Sequence, residues 1–293
     1  MRIVFIGAVR FSGAMLEVLI RAEANVVGVC TTGHSAFNTD HQDLSGIARL
    51  ALIPVLDTPD INSQDTLDWI NALAPDVIFC FGWSRLIKAP LLAVAPMGVV
   101  GYHPAALPAN RGRHPLIWAL ALGMDETGSS FFFMDEGADS GDILSQHAVP
   151  IDPADDAGTL YSRMIDIASI QLVELLGALQ DGTFSRAPQN QSLATYWRKR
   201  SRLDSQIDWR MSGQTIHNLA RALAYPYPGA HFVYRQNDVK VWRTEIVEDS
   251  RQNIEPGKIL AVGGRGPIVK AGADAVRLIE IEPAVNLVAG EYL

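Results

Sequence analysis

The stretch YHPAALPANRGRHPLIWALALGMDETGSSFFFMDEGADSGDIL, Tyr102 to Leu144, decides the reading of this chain. The apolar run Gly98-Val99-Val100 before it reads as a buried strand that delivers His103 at its end. A proline-punctuated loop follows, then Arg111-Gly112-Arg113 and a short helix around Trp118. A second strand over 129–134 leads into an acidic, glycine-broken loop that contains Asp139. A histidine leaving one strand and an aspartate in the loop after another meet at one mouth of a sheet, where open α/β sheets bind ligands. A carboxylate beside an imidazole fixes its tautomer and suits it to proton transfer. Asp135 and Asp142 lie in the same loop, and the residues alone do not choose among the three aspartates.

Upstream, strand-like runs over 2–7, 26–31, 54–56, 76–81 and 98–102 alternate with helical patterns over 13–23, 43–51 and 63–73. Ser63 stands where an N-cap would. The alternation predicts an α/β fold, a doubly wound and mostly parallel sheet. The runs 129–134 and 143–150 have no helix between them, so mixed or antiparallel pairing is expected there. Apolar residues at helical spacing from Leu160 to Leu176 predict a long helix over 155–181, ended at Gly182. The expected organisation is a catalytic domain over 1–183, a linker and connector helix over 184–229, and a small β-rich, barrel-like module over 230–293.

With 48% apolar and 19% charged residues, the 293-residue chain has an ordinary globular composition. No apolar stretch approaches bilayer length and the first residues read as a strand, so a cytoplasmic protein without a membrane partner is expected. Cys30 and Cys80 close apolar runs and read as buried free thiols. A metal site has no sequence support, and Gly7 and Gly13 do not form a dinucleotide fingerprint. A net charge of −8 disfavours a polyanion as main partner, so nucleic acid is not expected.

HPAALPANRG resembles the HPSLLPxYRG signature of folate-dependent formyltransferases, and MDEGADSGDIL resembles their MDxGxDTGxIL loop. The resemblance implies a Rossmann-like sheet and a catalytic set of Asn, His and Asp. It maps to His103 and Asp139, with Gly101 at the position of the family Asn. The segment from Phe81 to Ile87 resembles the family's folate-binding stretch, which implies that Trp83, Arg85, Leu86 and Ile87 form an apolar slot for 10-formyltetrahydrofolate. Plain core packing is the alternative for these residues. Gly137, Ala138 and Asp142 are expected at the same cosubstrate.

The resemblance puts Arg10, Phe11, Ser12, Arg111 and Gly112 at the acceptor; a solvated cation is the plain alternative for Arg10. Arg198 in the one basic run could meet a diphosphate or be solvated, and Tyr225 could stack on a base or pack a turn. The loop from Thr32 to Asp43 holds no Lys or Arg, unlike the basic insertion of tRNA formyltransferases. The variants around His114–Leu120 and Phe131–Glu136 look most like the branch acting on nucleotide-linked 4-amino-4,6-dideoxyhexoses, of the pseudaminic acid pathway type. The implied activity is transfer of a formyl group to the amine of such a sugar, in a chain that could pair as a homodimer. The alternatives are formylation of methionyl-tRNA, and a folate- or nucleotide-sugar-binding homologue impaired by Gly101.

Overall fold

The computed structural model describes residues 1–34 and 39–293. Strand β1 (Ile3–Ile6) is apolar and buried throughout, the signature of a strand covered on both faces. Along the chain follow α1 (Arg10–Arg21), β2 (Val26–Thr31), α2 (Ser45–Leu50), β3 (Val55–Asp57), α3 (Gln64–Ala72), β4 (Val77–Cys80), α4 (Ala89–Leu92) and β5 (Val99–His103). Next come β6 (Arg111–Gly112), α5 (Pro115–Ala121), β7 (Glu126–Phe133), β8 (Ile143–Pro150), α6 (Ala157–Asp181) and β9 (Tyr196–Trp197). The remainder is α7 (Gly213–Ala222) and strands β10 (Ala230–Tyr234), β11 (Asn237–Val247), β12 (Ile259–Ala261), β13 (Ile268–Lys270) and β14 (Ala275–Glu282).

The main sheet runs β3-β2-β1-β4-β5-β7-β8. From β3 to β5 the pairing is parallel, and β7 joins β5 antiparallel. The chain order reverses at β1, between β2 and β4, which is the doubly wound arrangement anticipated. Ser63 caps α3 as predicted, its Oγ accepting from the Thr66 N–H at 3.3 Å. The last five strands form a separate sheet in the order β10-β11-β14-β13-β12, with α7 lying against β11.

The chain divides into two compact units. One comprises residues 1–115, 127–149 and 162–197; the other comprises 116–126, 150–161 and 198–293. The units interleave along the sequence, which a linear division at 183 and 229 does not express. Cys30 and Cys80 are free and buried, and burial pushes each thiol up to about 12.

Helix α1 begins at Arg10, three residues before the predicted start at Gly13. Ser12 is the reason. Its Oγ accepts from the Val9 N–H at 3.3 Å, tying the helix entry back on itself, and donates to the Phe81 carbonyl at 2.6 Å. Among the described residues no helix is long and apolar enough to cross a membrane.

Candidate active site

His103 is the last residue of β5 and is 4% exposed. Its Nε2 lies 2.8 Å from the Asn110 carbonyl oxygen. A carbonyl only accepts, so Nε2 carries a proton and the neutral ring keeps its lone pair on Nδ1. Nδ1 faces Asp139 Oδ2 at 3.6 Å, too long for a direct hydrogen bond. It is therefore the ring nitrogen free to exchange a proton with a bound molecule or with Asp139.

The loop after β5 is pinned along its length. Ser130 donates to the Ala105 carbonyl at 2.6 Å, and Gln146 donates to the Leu107 carbonyl at 3.0 Å. Asn110 takes a left-handed φ of 62°, which turns its carbonyl toward the ring. Asp139 is likewise left-handed at φ 53°, and its Oδ2 accepts from the Gly112 N–H at 2.8 Å. Of the three loop aspartates, Asp139 is the one facing the imidazole. Asp135 serves the loop instead, its Oδ1 accepting from the Gly137 N–H and the Ser140 hydroxyl. Asp142 receives the Phe133 N–H on its carbonyl, and Ala138 is exposed at the tip.

Gly101 and His103 share one face of β5. A Cβ added at Gly101 would stand 2.9 Å from Met134 Cγ and 3.0 Å from Phe132 Cζ. The β7 partner, Phe132, sits directly opposite and fills that space. A side chain here would have to displace Met134 and Phe132. Asn110 offers His103 its backbone carbonyl, and its side-chain oxygen accepts from the Thr195 hydroxyl at 3.4 Å. Gly101→Asn is therefore expected to leave kcat flat or lower and to destabilise the fold by about 1–3 kcal/mol, the cost of overpacking. Steady-state kinetics check it. A rise in kcat toward 10²–10³-fold would mean that the site lacks an oxyanion donor.

The expected folate slot divides. Leu86 projects outward at 66% exposed, whereas Ile87 is 4% exposed and packs in the core with Leu91 and Val99. An apolar side chain one step past an exposed one turns inward, and the core takes it. Asn62 clips the segment, donating to the Leu86 carbonyl at 3.0 Å and accepting from the Lys88 N–H at 2.8 Å. Arg113 donates to the Ser84 carbonyl at 2.7 Å, and Arg85 to the Pro59 carbonyl. Trp83 Nε1 is buried without a hydrogen-bond partner among the described residues. An orphaned N–H beside apolar side chains fits a flat heteroaromatic ring bearing acceptors.

Three of the residues expected at the acceptor have structural work instead. Phe11, 7% exposed, stacks on Tyr102 at 4.2 Å between ring centroids, and Ser12 is fully buried. Burial of Tyr102 pushes its hydroxyl well above the usual range, against the hydrogen bond to Ser129. Arg111 is fully buried. Its guanidinium donates to Gln189 Oε1 at 3.1 and 2.6 Å, Gln191 Oε1 at 2.8 Å and the Tyr196 hydroxyl at 2.8 Å. An arginine beside glycine in a loop looks solvent-facing; here a chain segment about eighty residues later covers it.

Gly112 meets Asp139 through its N–H, and Arg10 lies exposed at the start of α1. In the second unit, Arg198 pairs with Asp204 in a fork and sits 5.3 Å from the Trp118 ring centroid. That hydrogen bond holds the Asp204 carboxyl well below its usual range. Tyr225, 75% exposed, borders a cavity of about 600 Å³ with Trp242, His217 and Arg243. Of the lysine- and arginine-free loop 32–43, residues 35–38 lie outside the described residues. Among the described residues no group of three or more His, Cys, Asp or Glu is placed to hold a metal ion.

Sequence reasoning missed Gln189, Thr195 and the Asn110 carbonyl. Thr195 Oγ1 accepts from the Asn110 N–H at 2.8 Å, and β9 pairs parallel with β6, Arg111 opposite Tyr196. A Gln or Thr in a polar linker carries no local signal for such a role.

Residues 1–176 match the family model described as formyl transferase, and residues 200–288 match that of the formyl transferase C-terminal domain. The methionyl-tRNA formyltransferase of Desulforamulus reducens is 30% identical over 286 residues, covering 96% of this chain and 90% of the relative. Among solved structures, the sugar 3N-formyl transferase WlaRD, crystallised with dTDP and 5-N-formyl-THF, superposes with a TM-score of 0.71 at 16% identity, covering 97% of this chain and 99% of that one. HypX from Aquifex aeolicus in complex with tetrahydrofolic acid gives a TM-score of 0.67 at 18% identity; the match covers 96% of this chain but only 44% of HypX. Matched by both models in order along its length, the chain belongs to the formyltransferase family.

Proposed function

We propose that this chain moves a formyl group from 10-formyltetrahydrofolate to the primary amine of a nucleotide-linked amino sugar, a 4-amino-4,6-dideoxyhexose. The observation that carries the chemistry is the buried His103 with Nε2 anchored on Asn110 and Nδ1 turned toward Asp139. The cosubstrate supplies an activated formyl carbon. Trp83, Leu86 and the Gly137–Asp142 loop would hold it, the Trp83 N–H meeting a ring acceptor. As the amine attacks, the formyl oxygen gains negative charge, and protonated His103 donates toward it from Nδ1. Asp139 takes the proton lost by the attacking nitrogen and returns one to the departing nitrogen. Holding these groups on strand ends and a pinned loop keeps them aligned before substrate arrives.

The sugar acceptor is supported by the absence of Lys and Arg from the loop 32–43, by the net charge of −8 and by the likeness to WlaRD. Arg10 and Gly112 would border it. The second reading, methionyl-tRNA as acceptor, is supported by the names of the sequence relatives. Incubation with 10-formyltetrahydrofolate and either a panel of nucleotide-linked 4-amino sugars or methionyl-tRNA, read by mass, separates the two. Turnover of an amino sugar is expected to exceed that of methionyl-tRNA by a wide margin; efficient formylation of the tRNA would reverse the assignment.

A further inference from the structure

We propose that Gln189, held by the buried cation Arg111, is a positioning residue that sets the Asp139 carboxylate for its work on His103. The inference rests on the assignment of His103 and Asp139 given above. Two of the four hydrogen bonds from Arg111 end on Gln189 Oε1, which settles the orientation of the amide. Its Nε2 then points the other way and donates twice, to the Asp139 carbonyl at 2.9 Å and to the Gly141 carbonyl at 2.7 Å. One side chain thus brackets the catalytic loop residue from both sides of Ser140.

The loop needs such a bracket. Asp139 is a non-glycine residue at φ 53°, a conformation that surrounding contacts must impose. Gly141 is pressed against the sheet, so that a Cβ there would stand 1.8 Å from the Phe133 carbonyl oxygen. Gly112, the N–H of which fixes the Asp139 carboxylate, directly follows Arg111 in sequence. Arg111 therefore reaches Asp139 by two routes, through Gln189 to its backbone and through Gly112 to its carboxylate. Gln189 is 8% exposed, and the hydrogen bonds traced here account for both ends of its amide.

The test is Gln189→Glu, alone and combined with Asp139→Asn. Glutamate keeps, and charges, the partner of Arg111 but removes both donors to the loop and turns a carboxylate oxygen toward two carbonyls, so the loop is released. Gln189→Glu is expected to lower kcat about 10–100-fold with acceptor KM within about threefold, the signature of an interaction made for the transition state. On an Asp139→Asn background the same change is expected to cost nothing further, because both act through one carboxylate. Unchanged kcat in Gln189→Glu, or losses that multiply in the double variant, would overturn the proposal. If Asp139→Asn alone keeps full turnover, the assignment of Asp139 itself is what has failed. A loss accompanied by a lowered melting temperature is repeated with Gln189→Met, and a rate that tracks only the melting temperature counts against the proposal.

Discussion

Formyl transfer is expected to fall by about 10²–10⁴-fold when His103 or Asp139 is replaced by Asn, the range a positioned acid–base group contributes. Asp139→Asn is the cleaner of the two. The amide oxygen of Asn can still accept from the Gly112 N–H, so the loop keeps its anchor while the charge beside Nδ1 is gone. His103→Asn removes the ring and with it the hydrogen bond to Asn110. Single-turnover measurements at saturating cosubstrate separate the chemical step from binding. Circular dichroism and a melting curve show whether the fold persists. Near-wild-type turnover in either variant would remove that residue from the mechanism.

The second large effect is on stability. Arg111→Met is expected to cost about 1–3 kcal/mol, the range for leaving buried polar groups without their partner. Methionine fills much of the volume, but Gln189, Gln191 and Tyr196 then lose a shared donor. Arg111→Lys keeps a positive charge yet offers a single point in place of a planar fork, so it rescues only part of the loss. A urea midpoint for Arg111→Met equal to that of the parent chain would show that the network adds nothing to stability.

The parallel part of the main sheet, β1 to β5, was legible because its strands are short apolar runs closed by turn residues, and Ser63 announces its helix by itself. The β7–β8 region was legible for the opposite reason: no helix separates its runs. Asp139 was picked from among Asp135, Asp139 and Asp142 by motif resemblance, and only the loop's fold supplies the physical reason, Asp135 being consumed by Gly137 and Ser140. Arg111 misled because its neighbours in sequence are polar, whereas its neighbours in space are Gln189 and Tyr196. Gly101 looked like a lost function, yet the phenylalanine that explains it lies on another strand. Position in the sequence reports local propensity well and long-range company hardly at all.

The short pairing of β6 with β9 also dictates when, during synthesis, the site comes into being. His103 and Asp139 leave the ribosome early, but Gln189, Thr195 and Tyr196 follow only after the long α6. A nascent chain that has emerged through residue 181 has every strand of the main sheet and neither the bracket on Asp139 nor the brace on Asn110. Competence therefore arrives as a late event in the life of the polypeptide. A chain cut short at the end of α6 would carry His103 and Asp139 without the bracket of Gln189 or the brace of Thr195.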